Sequence, residues 1–205
     1  MKQKFLAACI IMAPIPAFAE SSVSVGYANQ SGTIKDGSTS VSATITGYTL
    51  SGRVDLTDSL FLGISTTSGD TTLSGALSGK LDNTITEYGL GYYLSNNLDR
   101  MAGSGSFIGV GLAISNVEVK LGSTSEKSNS ESIIANAGFA IGSGLVTTFG
   151  FSAQTGSSNS STGIGVEYSI NENIAINVGY SSNTAKSGTL SSDASGYSVG
   201  ITFGL

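Results

Sequence analysis

Residues 48–64 read YTLSGRVDLTDSLFLGI, and this stretch decides the fold class. From Tyr48 to Leu56, apolar residues occupy every second position except Gly52, and the positions between them are small or charged. Such a period of two is typical of a β-strand, whereas a helix repeats every 3.6 residues. Residues 57–59 (TDS) have the composition of a tight turn, and the alternation resumes from Leu60 to Ile64. The stretch therefore predicts two antiparallel strands joined by a short turn.

The alternation recurs along the rest of the chain, which favours an all-β protein. Eight further alternating segments lie at residues 21–29, 88–94, 108–114, 135–141, 145–151, 164–170, 174–180 and 197–205. Short turns at 57–59, 143–144 and 171–173 alternate with longer polar stretches near 30–40, 69–83, 121–131, 155–161 and 182–195, which we expect to be loops; a longer connection at 96–105 is the exception among the short turns. Alternating short and long connections are a feature of bacterial β-barrels. We therefore predict a transmembrane antiparallel up-and-down β-barrel of ten strands, with eight strands as the alternative.

The composition of the two strand faces indicates which face meets lipid. The residues opposite the apolar ones are chiefly Gly, Ser, Ala, Thr and Asn, with few charges. In a water-soluble sandwich the apolar face would form the core, but in a membrane barrel it faces lipid and the small residues line the lumen. Aromatic side chains are enriched at membrane interfaces. We predict that the interface aromatics are Tyr27, Tyr48, Tyr88, Tyr92, Tyr168, Tyr180, Tyr197 and Phe203.

The first nineteen residues have the features of a secretory signal peptide. Lys2 and Lys4 precede an apolar run, and residues 17–19 (AFA) form a small-x-small cleavage site. We expect cleavage between Ala19 and Glu20, which leaves residues 20–205 as one barrel domain. Cleavage also removes Cys9, the single cysteine of the chain, so no disulfide stabilises the mature protein.

The signal peptide, the hairpin at 48–64 and the final segment YSVGITFGL at 197–205 together resemble those of small outer-membrane β-barrels of Gram-negative bacteria, including the opacity-type and porin-like proteins. The sequence departs from their pattern at Leu205, where an aromatic residue is usual. The resemblance implies a monomer in the outer membrane, in contact with lipid and lipopolysaccharide. It also implies that the barrel-assembly machinery recognises the terminal strand.

The residue types that are missing exclude several classes of function. The chain contains no histidine, the usual acid-base group at neutral pH, and the related barrel proteases and lipid-modifying enzymes use a histidine in catalysis. Without histidine or a mature cysteine, a zinc or haem site is not expected. The net charge of −5, which becomes −7 without Lys2 and Lys4, argues against nucleic-acid binding. We therefore expect no enzyme activity, no cofactor and no metal site.

Four charged residues fall on the small-residue face, and we predict that they point into the lumen: Arg53, Asp55, Glu87 and Glu167. The spacing from the turns places Arg53 and Glu167 at similar depth near the short-turn end, with Glu87 higher. One interpretation is an ion-pair network that fills and stiffens the barrel. The other is a narrow, water-filled path that prefers cations.

Three functions remain open from the sequence. The first is a non-enzymatic outer-membrane barrel with short extracellular loops and a structural or surface-interaction role. The second is a small passive channel for ions or small solutes. The third is a secreted, soluble β-adhesin.

Overall fold

The computed structural model describes residues 21–76 and 78–205, so the expected signal peptide and the cleavage site at Ala19 and Glu20 lie outside the described residues. The described chain forms ten β-strands. Their bounds are β1 (Ser22–Asp36), β2 (Thr39–Asp55), β3 (Leu60–Gly75), β4 (Gly79–Asn96), β5 (Ser106–Leu121), β6 (Thr124–Gly142), β7 (Leu145–Gln154), β8 (Ser160–Asn171), β9 (Ile174–Ser187) and β10 (Leu190–Gly204). No helix in this part of the chain is long and apolar enough to cross a membrane.

The sheet closes on itself because the first and last strands pair. Each strand is antiparallel to its neighbours in sequence, and β1 pairs with both β2 and β10, with Ser22 opposite Gly204 and Asp36 opposite Leu190. A closed sheet has no free edge along the zone where all ten strands are present. The prediction of a ten-stranded antiparallel barrel is confirmed, and the eight-stranded alternative is wrong.

The two ends of the barrel differ. The proximal end carries Ser21 and Leu205 together with the connections at 56–59, 97–105, 143–144 and 172–173. The distal end carries the connections at 37–38, 76–78, 122–123, 155–159 and 188–189. Register shifts occur at three places next to proximal turns, between Tyr93 and Ser95, Ala140 and Gly142, and Ser169 and Asn171. Such bulges are common at barrel rims, where they bend a strand towards its turn.

The prediction that the five longer polar stretches of the sequence are loops is wrong for four of them. Residues near 30–40, 69–83, 121–131 and 182–195 belong mostly to strands, which continue far past the apolar segments. Three of these hairpins end in two-residue turns that begin with Gly37, Gly122 and Gly188, each with φ near +60°. Glycine with positive φ at the first position is what a type II′ hairpin turn requires. The stretch near 155–161 does contain a longer connection, at 155–159.

The sequence pattern did not reveal these extensions because the apolar residues change faces along strands such as β2. In the distal part of β2, Val41, Ala43 and Ile45 point inwards and are buried, while Ser42 and Thr44 point outwards. From Tyr48 onwards the arrangement reverses, so the outer face becomes apolar and the inner face polar. The alternation of inward and outward positions continues without interruption. The outer wall therefore has a distal polar zone and a proximal apolar zone.

The boundary between the two zones follows a ring around the barrel. On five strands, a tyrosine marks this boundary, because the next outward residue on its distal side is polar. These tyrosines are Tyr27, Tyr48, Tyr88, Tyr180 and Tyr197. Tyr27 lies opposite Tyr48 in an edge-to-face contact with ring centroids 5.4 Å apart, and Tyr197 lies opposite Tyr180. From Tyr197 to Leu205 the apolar zone spans nine residues of the chain, and a tilted transmembrane β-strand needs about 9–11.

Two apolar clusters fill parts of the interior. The distal cluster consists of Leu81, Ile85, Val117 and Val119 with Leu73 packed against it. The proximal cluster consists of Phe61, Tyr93 and Phe107 with Leu98 packed against it. The proximal cluster lies beside the predicted lumen charges, so it belongs to the candidate site.

Candidate functional site in the barrel lumen

Arg53 is at the centre of the proximal lumen. It projects from β2 and is almost fully buried, and its Nε and Nη2 atoms both donate to Asp55 Oδ1, at 2.9 and 2.7 Å. Residues i and i+2 of a strand share one face, so the pair forms within a single strand. The guanidinium carbon also lies 4.0 Å from the ring centroid of Phe61 and 4.8 Å from that of Tyr93. These contacts give the buried cation both a counter-charge and aromatic faces.

The aromatic rings around Arg53 contact one another in tilted and edge-to-face arrangements. Ring centroids are 5.0 Å apart between Phe61 and Tyr93 and 6.0 Å apart between Tyr93 and Phe107. Two glycines provide the space for these rings: a Cβ at Gly91 would lie 2.1 Å from the Phe61 ring, and a Cβ at Gly138 would lie 2.3 Å from the Phe107 ring. Glycine on the lumen face therefore lets the bulky rings lie against the wall.

A second buried ion pair lies near the same end. Arg100 Nε donates to Glu167 Oε1 at 2.6 Å, and the two side chains are 12% and 3% exposed. Arg100 belongs to the proximal connection 97–105, whose backbone bonds to the β6–β7 turn through Gly144 N and Arg100 O, 2.8 Å apart. The connection thus places an arginine and Leu98 beside the aromatic rings. We call Arg53, Asp55, the three aromatic rings, Leu98, Arg100 and Glu167 the proximal plug.

Glu87 lies further towards the distal end and differs from the other lumen acids. It is buried, and its Oε2 atom accepts a hydrogen bond from Ser115 Oγ at 2.9 Å. Within residues 21–76 and 78–205, no Lys or Arg nitrogen lies within ion-pair distance of its carboxylate. Of the predicted lumen acids, Asp55 and Glu167 therefore form ion pairs, while Glu87 is held by a hydroxyl group.

Polar side chains continue the lumen lining between the plug and the distal cluster. Ser24 Oγ and Asn177 Nδ2 both donate to Thr202 Oγ1, at 2.7 and 3.0 Å. Closer to the distal end, Gln30 donates to Ser181 Oγ and accepts from Asn183 Nδ2. These bonds link β1, β9 and β10 across the closure of the sheet. They satisfy polar groups that the closed wall removes from bulk water.

The structure brings the four predicted lumen charges to the inner wall but not into one cluster. Arg53 pairs with Asp55, Glu167 pairs with Arg100, and Glu87 stands apart. Sequence reasoning missed Arg100 because a turn has no periodicity that assigns a side chain to a face. One signal was present, since Arg53 and Arg100 are the two arginines of the chain and both enter the plug.

The eight predicted interface aromatics lie on the outer wall. Seven are exposed and Tyr27 is half-buried against Tyr48. Five mark the boundary of the distal polar zone, while Tyr92, Tyr168 and Phe203 lie closer to the proximal turns. The rings thus occupy two levels of the outer wall.

The distal polar zone carries exposed charged pairs. Lys80 Nζ lies 2.7 Å from Asp70 Oδ2, and this hydrogen bond holds the pKa of Asp70 below its usual value. On the next strands, Lys120 and Lys127 lie 3.5 and 3.9 Å from the carboxylate of Glu118. Exposed pairs of this kind contribute little to stability.

Comparison with known proteins identifies the architecture. The family described as "outer membrane protein beta-barrel domain" matches residues 5–204. No curated protein sequence matches the chain. Among solved structures, the outer membrane protease OmpT from Escherichia coli is similar with a TM-score of 0.56 and 9% identity, over 94% of this chain and 99% of that one. The translocator domain of the autotransporter NalP from Neisseria meningitidis is similar with a TM-score of 0.52 and 10% identity, over 93% and 90%. At such identities the two structures share the fold with this chain.

Proposed function

Since the chain belongs to the outer membrane protein β-barrel domain family, we propose that it is a non-enzymatic barrel with a closed lumen and a structural or surface-interaction role. The observation that carries the proposal is the proximal plug, which combines two buried ion pairs with a cluster of three aromatic rings. The polar distal extension then supplies the surface on which a partner can bind.

The two zones of the outer wall support an orientation in the membrane. The proximal apolar zone, with aromatic rings at two levels, has the features of a lipid-facing band. The proximal end with its short turns then faces the periplasm, and the distal end projects from the cell surface. In this orientation the distal polar zone begins at the lipopolysaccharide layer. Recognition of the terminal strand by the assembly machinery and a monomeric state remain parts of the proposal.

The residues of the lumen support a role other than catalysis. The fold itself does not decide this point, because OmpT is a protease with the same architecture. Here, each of the four predicted lumen charges is bound by a neighbour: Arg53 by Asp55, Glu167 by Arg100 and Glu87 by Ser115. The described residues hold no group of three or more potential metal ligands, and the chain contains no histidine. Side chains held in ion pairs and hydrogen bonds are suited to stabilising the wall.

Conductance across a planar lipid bilayer tests whether the lumen is closed. We expect the unaltered protein to produce no steady current. Replacing two plug rings, Phe61→Ala with Phe107→Ala, removes packed side chains between the charged pairs, so this variant should produce discrete current steps. Heat-modifiable mobility on a detergent gel checks that each protein is folded before the measurement.

The matched control removes two rings from the outer wall. Phe139 and Phe149 stack on each other with centroids 5.9 Å apart and are exposed. The variant Phe139→Ala with Phe149→Ala should produce no steady current, like the unaltered protein. A steady current through the unaltered protein would contradict the closed lumen and favour the passive channel instead.

A further inference from the structure

The distal wall has a gap because two strands are short. β7 has 10 residues and β8 has 12, whereas β6 has 19. The pairing between β6 and β7 begins at Ser132 opposite Gln154. Among residues 21–76 and 78–205, the segment Thr124–Glu131 of β6 therefore pairs with β5 on one side and has no strand on the other. We call this segment the open edge; its eight residues extend about 26 Å at roughly 3.3 Å per residue.

The register shows which backbone groups face the gap. In an antiparallel pair, successive residues direct their N–H and C=O groups alternately towards the partner strand and away from it. The carbonyl oxygen of Glu131 accepts bonds from both Thr155 N, at 2.8 Å, and Thr155 Oγ1, at 3.1 Å, so it points away from β5. Ser125, Lys127 and Asn129 lie at every second position from Glu131, so their backbone N–H and C=O groups also face the gap.

The open edge has little protection against strand pairing. Native sheets protect their edges with proline, bulges, lysine side chains or charged residues that point inwards. Thr124–Glu131 contains no proline, its register with β5 is regular, and Glu126 is its one charged residue at an inward position. Its single lysine, Lys127, lies with Nζ 3.9 Å from Glu118 Oε2, so the ammonium is directed over β5 and not across the gap.

On the other side of the gap, the unpaired part of β9 is short. β8 pairs with β9 as far as Thr184, which leaves Ala185–Ser187. Lys186 N in this part already donates to Asn159 Oδ1 at 3.0 Å. The turn at 155–159 thus bonds to both sides of the gap, at Glu131 and at Lys186. Within the described part of the chain, the longer stretch of backbone without a partner strand therefore lies along β6.

We propose that the open edge binds an extended peptide segment of another protein as an added antiparallel strand. The inference rests on the proposed function, since it takes the distal end to face the cell exterior. Unpaired N–H and C=O groups in an extended strand are recognised by another extended backbone. The outward side chains along the edge, Ser125, Lys127 and Asn129, are polar and exposed. Recognition therefore depends on the main chain and tolerates many partner sequences.

A second copy of this barrel in the same membrane does not fit as the partner. In every copy β6 runs in the same direction relative to the membrane, so two open edges would meet parallel and not antiparallel. The antiparallel alternative, β9 of a neighbouring copy, offers only Ala185–Ser187. The proposal therefore commits to a segment of a different protein.

Amide hydrogen exchange on the unaltered protein in detergent micelles tests the proposal. The probe is the acetylated peptide KTVTVTVTK, whose threonine and valine residues favour strands. At saturating peptide, we expect the amides of Lys127 and Asn129 to exchange about tenfold more slowly, because a new strand covers them. The amide of Ser128, which is directed at β5, should not change. Unchanged exchange at Lys127 and Asn129 would overturn the proposal.

Two variants at one position separate the backbone from the side chain. Lys127→Pro removes a backbone N–H that faces the gap without removing a hydrogen bond to β5, and edge positions tolerate proline. It should weaken peptide binding, measured by fluorescence anisotropy, by about five- to tenfold, as expected for one lost hydrogen bond. Lys127→Gln keeps the N–H and should bind within about twofold of the unaltered protein on the same reasoning.

Equal affinity of Lys127→Pro and the unaltered protein would also overturn the proposal. If Lys127→Pro fails the gel-mobility test of folding, the exchange measurement decides alone. Both measurements are independent of conductance, so loss of the strand-binding proposal and loss of the closed-lumen proposal are distinguishable.

Discussion

Arginine in place of Leu90 or Val110 is expected to destabilise the folded barrel by about 2–4 kcal/mol, the cost of a cation near the middle of the lipid-facing band. Both side chains are exposed on the outer wall within the proximal apolar zone. If these positions faced water, replacing the leucine or valine by arginine would change stability little. The expected loss of stability therefore arises from contact of the arginine with lipid. Urea titration of the folded fraction in phospholipid vesicles, read by gel mobility, measures it.

The matched control is arginine at Thr44. This residue also points outwards and is exposed, but it lies in the distal polar zone. The substitution should change stability by no more than about 0.5 kcal/mol, as for most surface positions. An equal loss of stability from arginine at Leu90 and at Thr44 would mean that the same medium, lipid or water, surrounds both zones.

Removing Arg53 is the second change with a large expected effect. Its side chain is 3% exposed, and Arg53→Ala leaves the Asp55 carboxylate without its counter-charge while Phe61 and Tyr93 lose the group between them. Breaking a buried pair by deleting one partner costs about 3–5 kcal/mol. The same urea titration should show a loss of this size, reduced to the extent that water reaches Asp55, which is 22% exposed.

Lys127→Ala provides the comparison for Arg53→Ala. Its pair with Glu118 spans 3.9 Å and the lysine side chain is 74% exposed, so the loss should be within about 1 kcal/mol. If Arg53→Ala were no more destabilising than Lys127→Ala, the lumen around Arg53 would be wet and the plug would not be a packed structure.

The sequence was sufficient for the strand number and for the proximal half of the barrel. There, one period-two pattern persists because lipid requires an apolar outer face and the small lumen requires glycine and serine, as in residues 48–56. The two faces were therefore separable by composition alone. Arg53 and Asp55 could also be assigned to one face, since positions two apart share a side of the strand.

The distal half was misinterpreted as loops for a physical reason. On the distal side of Tyr48, the apolar residues of β2 occupy inner positions and its hydroxyl residues outer ones, which is the arrangement that we propose for a zone in contact with water. The change shifts the apolar pattern by one position, and serine and threonine are common in both loops and exposed strands. The glycines at 37, 122 and 188 were the available signal for tight turns.

Neither the partner of Glu167 nor the open edge could be identified without the three-dimensional structure. Arg100 is 67 residues away in sequence and belongs to a connection, where no repeat assigns a direction to a side chain. The gap beside β6 results from the difference in length between β6 and β7. Neither feature follows from the pattern of a single strand.

Spin-label accessibility in lipid vesicles tests whether the proximal outer wall touches hydrocarbon and the distal outer wall touches water. Single labels would be placed at the outward positions Leu90, Val110 and Val166 in the proximal zone and at Thr44 and Thr84 in the distal zone. We expect the first three labels to collide mainly with oxygen dissolved in the lipid, and the last two to collide mainly with a water-soluble nickel complex. Labels at Leu90, Val110 and Val166 that report water would contradict this expectation.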